Sequence, residues 1–374
     1  MLVYIIAIAI AVLFAGLYMS ARAINTNNLA SAILKRSAPI FLVGSFLALF
    51  LLSGFRVDVG IDYPSYVQWF YDIYNYDFSY FEPGFRAIIG IIQIFSLDPQ
   101  WLFIVSSFLT IGIIYISIKK YSFNPALSVF LFSTMGFLSH SLNLTRQFIA
   151  IAIILYAFNY LVNQKFWKYA AAVGVAALFH QTALIMLPVY FLLRMKLKPA
   201  HYLVILIVSA IISLFQKTII NTLVVTFYPQ YYNKAFIGDT IISSYYIILC
   251  LCLMVSVVYL LTKKKISVLK DSDRVIINTI FLVTLSHIFF TWVPLSNRVS
   301  LYIDISLIII IPNLLAHIES KTRRSILIFI ITLYFLWAGY MSLQTNANGV
   351  LPYKSSLFSY ITPNSSILVG RVSA

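Results

Sequence analysis

Residues 3–21 read VYIIAIAIAVLFAGLYMSA, a run without charged side chains that is long enough to cross a lipid bilayer as a helix. Comparable runs recur as far as residue 343, and the 374-residue chain is 61% hydrophobic and only 10% charged. Soluble domains carry about a quarter charged residues. The composition therefore excludes a soluble enzyme and predicts an all-α, polytopic transmembrane helical bundle.

Twelve apolar runs are candidate crossings. A thirteenth run, 85–95, is too short to cross and follows Glu82-Pro83-Gly84, so we predict a re-entrant or interfacial helix there. We expect a single integral membrane domain over residues 1–374 in which the first run is retained as a helix rather than cleaved as a signal peptide. The candidate crossings are 3–21, 38–54, 100–118, 125–142, 146–163, 166–180, 182–194, 200–216, 241–262, 275–292, 299–318 and 325–343.

Positive charge orients the predicted bundle. The chain has 26 Lys and Arg against 11 Asp and Glu, and a net charge of +15 in a membrane protein is a topology signal rather than a sign of nucleic-acid binding. If 85–95 does not cross, alternate connections hold 18 of the 26 basic residues, which makes those connections cytoplasmic. Both termini and the polar segments at about 55–84, 217–240 and 344–374 are then external. The external basic residues are Arg56, Arg86, Arg146, Lys217, Lys234, Arg298, Lys354 and Arg371.

Two external arginines have unusual predicted positions. Arg146 follows Asn143-Leu-Thr145 and Arg298 follows Ser296-Asn297, so we expect each in the first turn of a helix behind a capping residue, where the helix dipole disfavours a cation. An anionic ligand would relieve that conflict, since helix N-terminal amides and a guanidinium together suit phosphate oxygens. The alternatives are an arginine that extends to the membrane interface or one that pairs with Glu82 or Asp304.

A histidine provides a candidate base on the same predicted side. His180 ends the run Ala176-Ala-Leu-Phe-His180, and imidazole is the side chain best suited to accept a proton near neutral pH. A capping or packing role is the alternative reading. His140 and His287 are weaker external candidates, whereas His201 and His317 fall on the predicted cytoplasmic side.

An acidic, tyrosine-rich stretch runs from Arg56 to Gly84 and includes Asp58, Asp62, Tyr63, Tyr66 and Glu82. Carboxylates can bind sugar hydroxyls and aromatic faces can stack on sugar rings, so the stretch suits a glycan. Tyrosines also form the interfacial belt of any membrane protein, which leaves the carboxylates as the informative residues. Three weaker features carry no functional assignment. Asp271-Ser-Asp273 is read as a solvated turn and Asn143-Leu-Thr145 as a chance match to a glycosylation site. Cys250 and Cys252 are read as packing residues.

Seven segments in order resemble the EpsG-like branch of the Wzy polysaccharide polymerases, and they extend over almost the whole chain. Each motif is weak alone, and their shared order carries the resemblance. They are Arg56, Gly60-Ile-Asp62-Tyr63, Glu82-Pro83-Gly84-Phe85, Asn143-Leu-Thr-Arg146-Gln147-Phe-Ile-Ala150, Ala177-Leu-Phe-His180-Gln-Thr-Ala-Leu184, Asn297-Arg298-Val-Ser-Leu-Tyr302 and Pro352-Tyr353-Lys354.

The resemblance implies a GT-C-like glycosyltransferase of the bacterial inner membrane that joins undecaprenyl-pyrophosphate-linked repeat units on the periplasmic face, as in O-antigen synthesis. It implies lipid-linked glycan donor and acceptor as partners, a chain-length regulator protein beside them, and no cofactor or metal. We expect Arg146 and Arg298 to bind the pyrophosphate with Arg56 as an auxiliary, and His180 or Asp62 to activate the acceptor. The remaining expected substrate-binding residues are Asp58, Tyr63, Tyr66, Glu82, Gln147, Tyr302, Tyr353 and Lys354.

Two other classes of protein fit parts of this pattern. A lipid-linked oligosaccharide flippase would also have about twelve crossings, but its charges should lie in a central cavity and its halves are often similar. An O-antigen ligase or a membrane acyltransferase could use the same scaffold. Repeat-unit structure and linkage are not encoded in any recognisable motif.

Overall fold

The computed structural model describes residues 1–25, 28–73, 82–215, 218, 271–289 and 294–359, and every regular element within them is helical. The predicted crossing at 241–262, the segment 217–240 apart from residue 218, and the last residues of the tail lie outside the described residues. The helices are α1 (Leu2–Ala23), α2 (Leu29–Gly54), α3 (Tyr63–Asp72), α4 (Pro83–Phe95), α5 (Gln100–Tyr121), α6 (Pro125–Thr134), α7 (Phe137–Asn143), α8 (Thr145–Val162), α9 (Phe166–Ala177), a 3-10 helix (Gln181–Ile185), α10 (Met186–Leu193), α11 (Pro199–Leu214), α12 (Asp271–Phe289), α13 (Pro294–Asp304), α14 (Leu307–Ala316), α15 (Lys321–Thr345) and α16 (Ser356–Ser359).

Six stretches among the described residues are long and apolar enough to span a membrane, and α6 with α7 adds a seventh if this bent pair is one span. The six are α1, α2, α5, α8, the stretch Arg298–Ala316 and α15. These helices make the chain a multi-pass membrane protein. The runs predicted at 166–180, 182–194, 200–216 and 275–292 form α9, α10, α11 and α12, which fall short in length or composition.

Two helix boundaries differ from the apolar runs for identifiable reasons. Helix α2 begins at Leu29 because the Asn28 side chain accepts a hydrogen bond from the backbone N–H of Ser31 at 2.9 Å, so the predicted start at 38 was too late. The predicted crossing 125–142 is broken between α6 and α7, which meet at 55°. Gly136 lies at the break with φ +88°, a conformation that a helix interior does not allow.

The structure divides into two compact units. The first contains Met1–Ala152, Leu178–His180 and Ile311–Ala374, and the second contains Ile153–Ala177 and Gln181–Ile310. In the first unit α2 packs against α1 and α5, and α6 packs against α1 and α15. Large apolar side chains remain exposed on α1 and α15, for example Leu13 and Phe329, as lipid-facing surfaces require.

Two segments far apart in sequence pair next to α2 in the first unit. The backbone N–H of Gly60 donates to Gly349 O at 2.9 Å and that of Val57 donates to Lys354 O at 3.0 Å. Arg56 and Ser355 form an isolated antiparallel bridge. The motif around Gly60 and the late motif Pro352-Tyr353-Lys354 are therefore neighbours in space.

A small aromatic core connects α3, α4 and α5. It is built from Tyr66, Phe70, Ile73, Phe85, Ile89, Ile92, Leu102 and Phe103. Since α4 has only 13 residues, it is too short to cross, in agreement with the prediction for 85–95. The segment at about 55–84 was predicted as a polar connection, and the structure has α3 within it.

In the second unit, buried polar side chains tie helices together through backbone carbonyls. The Asn278 side-chain amide of α12 donates to Leu193 O and Met195 O, both at 2.9 Å. Tyr169 of α9 donates to Met186 O at 3.1 Å. These hydrogen bonds hold α12 against the end of α10, and α9 against the start of α10.

Candidate functional site

Glu82 is the centre of a three-residue cluster in the first unit. Its side chain is only 7% exposed, and it forms an ion pair with Arg146 through Oε2. Its other oxygen, Oε1, lies 3.1 Å from Nδ1 of His180, at an angle that departs from an ideal hydrogen bond. The cluster therefore joins a carboxylate, a guanidinium and an imidazole from three separate parts of the sequence.

The pKa of Glu82 responds to two opposing effects. Burial raises it, but the contact with the His180 ring and the positive charge of Arg146 outweigh burial and hold the pKa to about 2. Glu82 is therefore ionised throughout the physiological pH range. The permanent negative charge of Glu82 can orient a cationic neighbour, Arg146, and a proton-accepting neighbour, His180.

Arg146 lies in the first turn of α8, as the sequence predicted, and pairs with Glu82, the partner named as an alternative to a ligand. The guanidinium carbon lies 5.1 Å from the Trp69 ring centroid and 5.7 Å from that of Phe85. Cation–π contacts of this kind add to the fixed position of the charge. The side chain remains 18% exposed, so a ligand can reach it.

His180 lies in the connection between α9, which ends at Ala177, and the 3-10 helix that begins at Gln181. The prediction that His180 ends a continuous helix was therefore wrong by three residues. Its side chain is 23% exposed. The break in the helix brings the imidazole to Glu82 instead of leaving it along a helix face.

A close backbone approach holds this connection against the start of α4. The N–H of Gly84 donates to Leu178 O at 2.8 Å. A Cβ on Gly84 would lie 2.7 Å from that same oxygen, closer than van der Waals contact permits. The glycine of Glu82-Pro83-Gly84 thus allows the contact that places Glu82 beside His180.

We expect Gly84→Ala to destabilise the protein by about 1–3 kcal/mol, because the added methyl group must push the two backbones apart. Gly174→Ala is the matched control: nothing lies within 4 Å of a Cβ there, and alanine favours a helix interior. Thermal unfolding of the two variants measures the effect. Wild-type behaviour of Gly84→Ala would contradict the close approach.

Arg56 is buried beneath the surface, with 1% of the residue exposed. Its guanidinium donates to Ser53 O, to Ser107 Oγ at 3.3 Å and to Thr145 Oγ1 at 3.1 Å, and it lies 4.7 Å from the Phe103 ring centroid. Burial lowers its pKa to about 10, which leaves it charged at neutral pH. It therefore reaches Thr145, the neighbour of Arg146, rather than the surface where a substrate would bind.

The two aspartates of the acidic stretch occupy different positions. Asp58 is exposed and its carboxylate forms a 2.8 Å ion pair with Lys354, so two predicted substrate-binding residues contact each other at the surface. Such exposed pairs contribute little to stability. Asp62 is half-buried at the start of α3, and its backbone N–H donates to Asn143 Oδ1 at 2.8 Å. The sequence predicted a helix-capping residue within Asn143-Leu-Thr145, whereas the structure places Asn143 at the end of α7, where its side chain accepts this hydrogen bond.

The predicted sugar-stacking tyrosines pack mainly against protein. Tyr63 stacks on Phe103 with centroids 4.2 Å apart, and Tyr66 is 4% exposed and accepts a 3.4 Å hydrogen bond from the Arg146 backbone N–H. Burial raises the pKa of both phenols. Tyr353 donates to Leu52 O at 2.9 Å. Gln147 is also buried. Tyr66 therefore contacts Arg146 of the cluster through its hydroxyl, whereas Tyr63 stacks on Phe103 and Tyr353 binds Leu52.

Arg298 belongs to the second unit. Helix α13 begins at Pro294, so Arg298 is beyond the first turn and Asn297 lies inside the helix; the predicted capping arrangement was wrong. Arg298 is exposed. Tyr302 of the same helix is buried, and its hydroxyl lies 3.1 Å from Thr182 Oγ1.

Asp304, the other suggested partner for an arginine, lies at the end of α13. Its Oδ2 accepts a 2.8 Å hydrogen bond from Ser300 and lies 3.2 Å from His287 Nε2. Both the aspartate and the histidine are buried. His287, one of the weaker candidate bases, therefore lies beside Asp304 within the second unit.

Some of these contacts could not be predicted from the sequence. Trp69 beside Arg146, Thr145 beside Arg56 and Thr182 beside Tyr302 depend on contacts between distant segments, although Thr145 and Thr182 lie within quoted motifs. Within the part of the chain that the structure describes, no group of three His, Cys, Asp or Glu side chains is placed to hold a metal ion.

The chain was also compared with known proteins. Neither the curated proteins nor the solved structures gave a match. A family model described as the EpsG family matches residues 39–355, a range that includes Glu82, Arg146, His180 and the paired segments around Gly60 and Tyr353. Because this match extends over most of its length, the chain belongs to the EpsG family.

Proposed function

We propose that this protein is a polysaccharide polymerase that joins glycan repeat units carried on undecaprenyl pyrophosphate. EpsG family membership supports a role in polysaccharide biosynthesis. The observation that carries the proposal is the cluster in which ionised Glu82 contacts both Arg146 and His180. A base and a cation held by one carboxylate suit a reaction in which a hydroxyl attacks and an anion leaves.

In this reaction His180 is the general base. The Glu82 carboxylate favours the imidazole tautomer with hydrogen on Nδ1, so Nε2 carries the lone pair that accepts the proton of the acceptor hydroxyl. The hydroxyl oxygen forms a bond to the anomeric carbon of the growing chain. The bond from that carbon to the pyrophosphate oxygen breaks, and the electron pair leaves with the undecaprenyl pyrophosphate.

Arg146 stabilises the negative charge that develops on the leaving pyrophosphate. A guanidinium has five N–H donors, and the contact to Glu82 is made through Nη1. The amides at the start of α8 add the positive end of a helix dipole. We assign Arg56 to positioning Thr145 at that helix start. From its motif alone, we propose that Arg298 binds phosphate.

An apolar cavity of about 490 Å³ in the first unit suits part of the polyprenyl chain. Helix α1 contributes Tyr4 and Ile8, the α6–α7 break contributes Gly136, and α15 contributes Leu336 and Leu343. Helix α7 lines this cavity with Leu138 and Ser139 and is followed in the chain, after residue 144, by α8, which carries Arg146. A lipid-linked donor could thus place its tail in this cavity and its pyrophosphate at the cluster.

For the whole chain we propose about twelve crossings in a GT-C-like arrangement, with the cluster on the periplasmic face of the inner membrane. The supporting observation is the split of 18 against 8 basic residues across the predicted connections. The four basic residues Arg22, Lys35, Lys119 and Lys120 line one cavity at the ends of α1, α2 and α5, as expected of residues on one side of the membrane.

Reporter tags test this orientation. Tags at Lys119 and Lys263 should report the cytoplasm, and tags near Lys234 and the C-terminus should report the periplasm, because basic connections stay inside. Cysteine accessibility in intact cells gives an independent measurement. A cytoplasmic C-terminus would reverse the side assignment and remove the proposed site from the periplasm.

Polymerase activity is tested directly with purified protein in liposomes that contain a lipid-linked repeat unit. Ladders of longer glycans with release of undecaprenyl pyrophosphate are the expected result. Movement of the lipid-linked unit across the bilayer without elongation would identify a flippase. Transfer of a glycan to a different acceptor, without ladders, would identify a ligase.

A further inference from the structure

A second, basic cavity lies at the other end of the first unit. It has a volume of about 620 Å³ and is lined by side chains from α1, α2 and α5, including Tyr18, Arg22, Lys35, Lys119 and Lys120. Four cations from three helices therefore face one space. Across the part of the chain that the structure describes, no carboxylate lies within ion-pair distance of Arg22, Lys35 or Lys119.

Two of these cations are held in position. Arg22 Nη1 donates to the Tyr18 hydroxyl at 2.9 Å, and its guanidinium carbon lies 5.6 Å from the centroid of the same ring. Lys35 Nζ donates to Ile24 O at 3.5 Å, a weak contact between α2 and the end of α1. The four charges thus lie around one cavity, on exposed residues that a ligand can reach.

Helix dipoles explain only part of this cluster. Arg22 lies in the last turn of α1, and Lys119 and Lys120 lie in the last turn of α5, where cations are favoured. Lys35 lies near the N-terminal end of α2, where the dipole gives a cation no stabilisation. Its mutual repulsion with three other cations calls for an anion in the space that they share.

The location indicates which anion. The cavity lies where three membrane-spanning helices end, and its wall also includes apolar Ala38, Pro39 and Ile116. A phosphate with attached acyl chains satisfies both surfaces, whereas a free phosphate satisfies only the cations. We propose that this cavity binds the headgroup of an anionic phospholipid.

This site is separate from the Glu82 cluster. Phe103, which contacts Arg56, lies near the start of α5, and Lys119 lies near its end. At about 1.5 Å per residue, these ends of α5 are roughly 25 Å apart. The lipid proposal can therefore fail while the polymerase proposal stands, and the reverse is equally true.

Titration of the full-length protein in neutral detergent with phosphatidylglycerol or cardiolipin tests the proposal, with thermal unfolding and native mass spectrometry as readouts. Both lipids should raise the unfolding temperature and remain bound. The variant Lys35→Gln/Lys119→Gln should weaken the apparent affinity roughly 30-fold, since each basic residue contributes about one kcal/mol to anionic-lipid binding. Lys321→Gln/Arg323→Gln removes the same charge from α15 and should bind like the wild type.

Lys35→Arg/Lys119→Arg keeps the charge and should keep the lipid response, which separates loss of binding from loss of folding. An equal response to phosphatidylcholine would overturn the proposal, as would equal binding by the glutamine and control variants. If inorganic phosphate alone reproduced the full stabilisation, the ligand would be a free anion and the lipid assignment would be wrong.

Discussion

Arg146→Ala should abolish polymer while leaving the protein in the membrane. In the proposed reaction, the Arg146 side chain stabilises the negative charge that develops as the pyrophosphate leaves. Loss of one positioned donor to a developing anion costs about 3–4 kcal/mol of barrier, a hundredfold or more in rate. The rate of chain growth from a lipid-linked repeat unit, together with membrane protein level, measures the effect.

Arg86→Ala is the matched control. Arg86 is an exposed arginine of α4, and the Arg86→Ala variant should retain activity. Arg146→Lys should recover only part of the rate, since a point charge cannot bind two phosphate oxygens at once. Arg298→Ala should also lose polymer if that residue binds phosphate. Wild-type polymer length in both alanine variants would exclude the pyrophosphate role.

The ion pair with Glu82 complicates the reading of Arg146→Ala, because removal of the arginine leaves a mostly buried carboxylate without that partner. Such a loss can destabilise a protein independently of catalysis. The double variant Arg146→Ala/Glu82→Gln removes that charge. The single variant Glu82→Gln is the reference for this double variant. If the double variant folds normally and is still slower than Glu82→Gln alone, the further loss of rate belongs to Arg146 and not to a disrupted fold.

Apolar runs predicted that the chain is helical, but of the twelve predicted crossings the described residues show six or seven candidate spans, and the helix ends were placed poorly. Helix α15 was predicted from 325 but begins at Lys321, because Ser320 caps a first turn that is rich in basic residues. Polar residues at a helix end are still helical, and hydropathy does not detect them. Breaks inside apolar runs, at Gly136 and at 178–180, are equally invisible because the residues on either side stay apolar.

The candidate site was predictable to the extent that its residues lie in recognisable motifs. Glu82 was named as a partner for Arg146 from charge alone, and the structure has that pair. Its contact with His180 depends on the approach of Gly84 to Leu178, a contact between segments almost a hundred residues apart. Local patterns do not encode such a distance. The burial of Arg56 was missed for the same reason, since Ser107 and Thr145 lie far along the chain.

His180→Gln should lose activity a hundredfold or more, because a general base contributes about 10²–10⁴ to a rate. Glutamine keeps the size and polarity of the side chain but cannot accept the proton. Binding of the lipid-linked donor should be retained, since the proposed anion contact is made by Arg146. His317→Gln changes an exposed histidine in the same way and should be active.

Asp62 is the competing base, and the structure places it at the start of α3 with its backbone N–H bonded to Asn143. If Asp62 accepts the proton, Asp62→Asn should be the inactive variant and His180→Gln should keep most of the rate. The contact of His180 with Glu82 favours the histidine, because an imidazole with an oriented tautomer is ready to accept a proton at Nε2.

The pH profile separates these two bases. A histidine base acts only in its neutral form, so the wild-type rate should fall as the pH is lowered through the range in which imidazole takes up a proton. A carboxylate base would move that fall to lower pH. Glu82 adds no fall of its own above about pH 3, because its pKa is held to about 2 and it stays ionised. Glu82→Gln should lower the rate at neutral pH, since the amide no longer selects the Nδ1–H tautomer. A chelator should leave all of these profiles unchanged; inhibition that a divalent ion reverses would refute the metal-free mechanism for either base.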